Sequence, residues 1–484
     1  MSEQQTTAGG DEATNAAARD DASVAESGPE LDRAETVMFR RRKRVAGIAG
    51  VVAVAAVVLL ALAAALAPSL LPITSVLDWD TKTVAASVIF AASYLALALG
   101  RVPGLSIDRA GIALVGACLM VASDVLPLDD AYKAIDFNTI TLLLGMMIVV
   151  ANLRLSGFFA LANAWVARRA RRPLVLLIAI TAIAGVFSAF LVNDAICLVL
   201  APLVLELTLG TGRKPMPYLL ALAMGSNIGS TATITGNPQN IMIGSFSQIP
   251  YVRFAAVLAP VAAVGLALTV ALIVVAHRSE FASGVKLAET TSDVRANRVL
   301  AWRAVLATGV LVALFFAGQP PAKVAIVIGG LLLLTRRVKS ERIYAEIDWS
   351  LLLMFVGLFI IVAGAQHVLL TQDVVAAVGR LHLDQVPILA GVTAALSNLV
   401  SNVPAVLVIK PFVEPLRNHD TAWLTIAMAS TLAGNFTILG SIANLIVVQK
   451  AAQRGVNISF WDYFRVGVPL TLLTLVIGTL WLWH

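Results

Sequence analysis

Two short polar pairs interrupt otherwise apolar stretches: Asn193-Asp194 within LVNDAICLVLAPLV (191–204), and Ser401-Asn402 within VSNVPAVLVIKPFV (400–413), with Pro404 close behind. Asn, Asp and Ser start helices because their short side chains take up free N–H groups, and Pro suits a first turn. Each pair therefore aims a helix N-terminus, with its partial positive charge, at whatever lies beyond it. Two such ends meeting at one point favour an oxyanion or a carboxylate. A third stretch, GSNIGSTATITGNPQNIMIG (225–244), carries Asn227, Ser230, Thr231, Thr233, Asn237 and Asn240 where a spanning helix would be uniformly apolar. Gly229, Gly236 and Pro238 break its hydrogen-bond ladder, and freed backbone at membrane depth is tolerated only inside protein or beside a watery cavity. Donors and acceptors this dense on a broken helix predict a binding site near the bilayer midplane.

Asp194 is the only carboxylate beside these candidate contacts, and Val403 takes its place in the second pair. An ionised Asp at membrane depth is costly and by default functional. It would repel an anion unless a proton or a cation neutralised it, so its expected work is ion coupling. The plainer reading makes it an N-cap and nothing more.

The elements that must hold these residues follow from composition. Of 484 residues, 59% are hydrophobic and 13% charged, with a mean hydropathy of +0.86. Soluble chains carry roughly a quarter charged residues, so this is an all-α polytopic membrane protein. The net charge of +6 comes from short basic clusters between apolar runs, which act as orientation signals and do not suggest nucleic acid. Residues 1–44 read as a disordered cytoplasmic tail ending in Arg40-Arg41-Arg42-Lys43-Arg44, and 45–70 as an additional transmembrane helix. Residues 80–277 form a first repeat, 278–298 a polar cytoplasmic linker and 299–484 a second repeat.

Three matches in the same order support the duplication. Ile135-Asp136-Phe137 with Gly145 reappears as Ile347-Asp348-Trp349 with Gly357. The tip segments align without a gap, pairing Asn193 with Asn402 and Pro202 with Pro411. TITGNPQN (233–240) aligns to TILGSIAN (437–444), pairing Thr233, Gly236 and Asn240 with Thr437, Gly440 and Asn444. Counting Arg and Lys on alternate sides, with Arg109, Arg213 and Lys214 among the inside ones, gives about eleven spans and two re-entrant hairpins, five spans per repeat. An odd number makes the second copy inverted.

The tips, the IDF and IDW entries and the GNPQN segment resemble the ion transporter superfamily, in particular its ArsB/NhaD branch of arsenite and silicon efflux proteins and the mammalian P protein. Divalent anion:sodium symporters and citrate carriers are more distant members. The resemblance covers about residues 80–484. It implies a scaffold and a mobile transport domain working as an elevator, commonly as a homodimer. It also implies substrate contacts at Asn193, Ser401, Asn402, Thr233, Asn237, Thr437 and Ser441; Thr231 is a further candidate contact, and Asp194, Asn227, Asn240, Asn435 and Asn444 are the candidate ion-coupling residues. The symporters' Ser-Asn-Thr tip is here Val-Asn-Asp and Ser-Asn-Val, which argues against a dicarboxylate carried with two tightly bound sodium ions.

The expectation is an ion-coupled secondary carrier of a small anion or oxyanion in the plasma membrane, N-terminus cytoplasmic; a sodium/proton antiporter is the alternative. No cofactor is expected beyond Na+ or H+ as coupling ion, and no metal site. The apolar segments hold no nucleophile with a base, so an enzyme is not expected, and no Walker motif occurs. A soluble ATPase partner is compatible with the sequence.

Overall fold

A computed structural model of the chain describes residues 80–100, 105–169, 172–282, 297–334 and 338–483. The expected tail at 1–44, the additional helix at 45–70 and most of the linker at 278–298 lie outside the described residues. These residues are helical, with no strand among them, and eight of the helices are long and apolar enough to cross a membrane.

The helices fall into two series of the same order. The first comprises α1 (Thr81–Leu99), α2 (Arg109–Ala122), α3 (Phe137–Leu155), α4 (Phe158–Arg169), α5 (Pro173–Phe190), α6 (Asn193–Gly210), α7 (Pro215–Ser230), α8 (Pro238–Ser247) and α9 (Tyr251–Ala276). The second comprises α10 (Arg298–Phe316), α11 (Pro321–Leu333), α12 (Trp349–Leu369), α13 (Gln372–Gly379), α14 (Val386–Val400), α15 (Asn402–Val413), α16 (His419–Ala433), α17 (Ile442–Gln453) and α18 (Phe460–Trp483). A single 3-10 turn bridges α7 to α8 at Ile234–Gly236, and another bridges α16 to α17 at Ile438–Gly440.

The IDF and IDW motifs are helix starts. The Asp136 carboxylate accepts from the Asn138 N–H at 3.1 Å and the Thr139 hydroxyl at 2.6 Å, and Asp348 accepts from the Leu351 N–H at 3.0 Å. The helices they begin cross the other series reciprocally: α2 packs on α12, and α11 packs on α3. Each crossing needs a glycine. A Cβ on Gly145 would meet the carbonyl carbon of Ala325 at 2.5 Å, and one on Gly357 would meet that of Ala113 at 2.5 Å. Helix axes this close exclude any side chain at those two positions, the small-residue packing of membrane helices.

Two helix groups result. One gathers α1 to α3 with α10 to α12; the other gathers α5 to α9 with α14 to α18. Two connectors between them, α4 and α13, read as loops in the sequence. They are short and mixed in character, with Arg168 and Arg169 closing α4 and none of residues 373–379 of α13 buried, so neither carries the sustained apolar run by which spans are recognised.

Candidate functional site

The hairpin arms α5 and α6 turn over at Leu191-Val192, and α14 and α15 turn at Ser401. The expectation that polar side chains cap these two starts is not met. Val192 occupies the N-cap of α6 and Ser401 that of α15, and neither end has a side-chain capping bond. Asn193 is already the first helical residue, and its amide turns sideways to donate to Asn227 Oδ1 at 3.0 Å. The first-turn N–H groups of both tips are thus left uncapped by side chains. Ser401 holds φ 81° and ψ 160°, a region that only glycine adopts without strain, and such strain gathers at functional sites.

Between the tips lies a cavity of about 40 Å³, room for roughly three water molecules. Four helix N-termini reach it: Asn193 and Asp194 of α6, Ser401 and Asn402 of α15, Pro238 and Gln239 of α8, and Ser441 and Ile442 of α17. The first group of helices closes the far side with Leu97, Arg109, Leu351 and Met354. Convergent N-termini and a guanidinium bring positive potential to the cavity, with the Asp194 carboxylate as the negative group in its lining. Asn193 Oδ1 and Asn402 Oδ1 are buried with no hydrogen-bond partner in the protein, although Asn193 is only 4% exposed. An orphaned buried acceptor costs about 1–3 kcal/mol, so both amide oxygens call for a donor: a hydroxyl of the bound species or a cation.

Of the expected site residues, Asn193, Asp194, Ser401, Asn402 and Ser441 line this cavity. Thr231, Thr233, Asn237, Asn227, Asn240, Asn435 and Asn444 stand behind it in one buried network, with the half-buried Thr437 at its edge. Asn227 Nδ2 donates to Asn435 Oδ1 and to Asn444 Oδ1, both at 2.9 Å, while its Oδ1 accepts from Ser441 at 2.9 Å. Asn237 Nδ2 donates to Ser230 Oγ at 2.9 Å and Thr431 Oγ1 at 3.0 Å. The Thr233 hydroxyl donates to the Ala189 carbonyl at the end of α5, and the Thr231 hydroxyl to the Asn227 carbonyl at 3.4 Å. Asn435 Nδ2 reaches the Met224 carbonyl at 3.3 Å. The Thr437 carbonyl accepts from Asn444. These bonds tie the broken helices of one series to those of the other and so fix where the four N-termini point.

Asp194 has a second outlook. It lines the tip cavity and also a neighbouring one of about 100 Å³ with Arg154, Glu346 and Asp348. Its carboxylate faces the Ala443 N–H at the start of α17. Arg154 and Glu346 form an ion pair between the end of α3 and the approach to α12.

Arg109 and Gln239 are the polar cavity residues that the sequence does not single out as contacts. Arg109 counts there among the inside charges, and Gln239 lies within GNPQN with nothing to single it out. Alternation of charge reports sides of a membrane, whereas the approach of Arg109 to the tips depends on the turn between α1 and α2.

Apolar helices around a polar cavity of broken helices define a secondary membrane transporter. The citrate transporter family model matches residues 94–433, and the chain belongs to that family. An uncharacterized transporter of Mycobacterium tuberculosis is 30% identical, over 83% of this chain and 98% of its own. The silicon efflux transporter of Oryza sativa subsp. japonica is 28% identical, over 82% and 97%. The crystal structure of the Alcanivorax borkumensis YdaH transporter shares the fold at a TM-score of 0.52 and 14% identity, covering 82% of this chain and 97% of that one.

Proposed function

We propose that the protein is an ion-coupled secondary carrier of a small hydroxylated oxyanion, bound between the two tips. The observation that carries this reading is the meeting of four helix N-termini at one small cavity whose two buried amide oxygens have no partner. N–H groups and helix dipoles attract the anionic oxygens. Asn193 Oδ1 and Asn402 Oδ1 accept from its hydroxyls or coordinate the coupling cation. The small volume favours a compact inorganic species over citrate, and the silicon efflux relative carries a substrate of that size class.

The two helix groups support an elevator, in which the tips and broken helices move against α1 to α3 and α10 to α12, with α4 and α13 as connecting arms. The reciprocal Gly145 and Gly357 crossings support an inverted repeat. We place the carrier in the plasma membrane with its N-terminus cytoplasmic, and as a homodimer whose exposed apolar helices meet lipid or the second copy.

Proteoliposome uptake of arsenite, phosphate, sulfate, silicate, citrate and succinate under imposed pH and sodium gradients tests the reading. Asn193→Ala and Asn402→Ala each remove a substrate contact, which is expected to weaken affinity roughly tenfold to a hundredfold with the fold retained. Unchanged affinity in both would make the tips structural. Sodium–proton exchange with no dependence on any of these solutes would make the protein an antiporter instead, with Asp194 as its ion site.

A further inference from the structure

We infer that Arg109 is the residue that makes the carrier select ionised substrates over uncharged ones; this rests on the tip cavity being the substrate site. Arg109 is the first residue of α2 and lines the cavity opposite the tips. A cation in a first turn opposes the positive end of its own helix, so an Arg at this position is stabilised by neither its helix nor, among the described residues, by any ion pair or hydrogen bond. The adjacent Asp108 is turned away, its carboxylate accepting from the Gly111 N–H at 2.9 Å. Across the cavity Asp194 faces α17 and forms no ion pair with it.

The chain makes room for this side chain. α1 ends at Gly100 with φ 69°, and the guanidinium lies against that glycine, 3.4 Å from where a Cβ would stand. The carbonyl end of α1 is beside it, which eases the burial of a cation, yet no carbonyl there accepts from it. The guanidinium's N–H groups therefore stay available to a ligand, in a fork that matches two oxygens of a carboxylate or a tetrahedral oxyanion. An uncharged hydroxide such as silicic acid would gain little from it beyond a neutral hydrogen bond. Pro321 takes the corresponding place at the start of α11, so the cation is supplied from one side only. It also belongs to the helix group that does not carry the tips, so a substrate anion on Arg109 bridges the two groups and favours this arrangement of them.

The test uses the full-length protein in proteoliposomes, with phosphate as the charged probe and silicic acid as the uncharged one. Arg109→Gln and Arg109→Lys are compared with wild type for binding and uptake, and thermal unfolding checks that each variant folds. Arg109→Gln is expected to weaken phosphate about tenfold to a hundredfold while leaving silicic acid within about twofold, and Arg109→Lys is expected to restore part of the loss. Equal weakening of charged and uncharged probes, or no change in either, overturns the role of Arg109. Transport of silicic acid alone by the wild type overturns it as well. Asn193→Ala and Asn402→Ala run alongside: if they abolish binding while Arg109→Gln does nothing, only the Arg109 inference fails, whereas if the tip variants are silent the site itself is elsewhere.

Discussion

Asn240 and Asn444 do the same work in two different breaks. Asn240 Nδ2 donates to the carbonyls of Ser230 and Thr233, each at 3.1 Å, and Asn444 Nδ2 donates to the carbonyls of Gly434 and Thr437 at 2.8 and 3.1 Å. The partners correspond in the alignment that pairs TITGNPQN with TILGSIAN. Breaking a helix at membrane depth frees carbonyls that lipid cannot satisfy, and one amide from the following half-helix takes up two of them. The oxygens are used too: Asn444 Oδ1 accepts from Asn227, and Asn240 Oδ1 from Thr431 at 3.4 Å. Both residues are fully buried.

Replacing either with Ala removes two hydrogen bonds from a break in the helix and leaves the Thr233 and Thr437 carbonyls only the N–H groups of Gly236 and Gly440, so Asn240→Ala and Asn444→Ala are each expected to cost about 1–3 kcal/mol of stability. Thermal unfolding in detergent should show the loss, with affinity in the surviving folded fraction close to normal. A variant of normal stability that no longer couples transport to an ion gradient would give the amide an ion-coupling role in place of a bracing one.

The crossings at Gly145 and Gly357 predict a steric effect with equal clarity. A Cβ at either position sits 2.5 Å from the backbone of the partner helix, and backbone cannot rotate away as a side chain can. Gly145→Ala and Gly357→Ala are each expected to destabilise by about 1–3 kcal/mol. Gly330→Ala on the neighbouring α11, where a Cβ meets nothing within 4 Å, is the control and should be neutral or better. Matching behaviour of Gly145→Ala and Gly330→Ala would mean that the crossing is looser than the glycines require.

Inverted topology makes a prediction about sides. Gly210 ends α6 and Arg417 follows α15, and both positions are exposed. With Cys118 and Cys197 replaced, single cysteines at 210 and 417 are expected to react with an impermeant thiol reagent from the cytoplasmic and the outer face respectively. Reaction of both from one face would rule out the inverted repeat.

The polar interruptions are legible in the sequence because membrane helices tolerate so few of them. The tips, both breaks and the helices from α1 to α18 other than α4 and α13 stand out as apolar runs or as lapses in one. The atoms each residue faces are not legible. Asn193 reads as a cap, yet the tight turn at Val192 puts it one position inside the helix, where its amide reaches Asn227. Asn227, Asn240, Asn435 and Asn444 are all buried polar residues on broken helices, and only their partners distinguish brace from binding surface. Arg109 is the hardest to recognise, because a loop arginine carries an orientation signal whether or not it turns into a cavity.

Asp194 is the residue on which coupling turns. It stands between two cavities, the tip site on one side and the Arg154, Glu346 and Asp348 cavity on the other, so an ion or proton taken up there would have a polar neighbour on the side away from the substrate. As a charge next to an anion site it opposes binding, and neutralising it favours binding; that difference is what links an ion gradient to substrate movement. Asp194→Asn keeps size and hydrogen-bonding capacity and removes the charge. The variant is expected to bind substrate at least as well as wild type and to exchange it across the membrane, but to lose accumulation driven by a pH or sodium gradient. A structural Asp194, held only by the Ala443 N–H, would instead leave both gradient-driven accumulation and thermal stability close to wild type in Asp194→Asn. Measuring exchange and accumulation on the same proteoliposomes separates the two, since an uncoupled carrier keeps the first and loses the second.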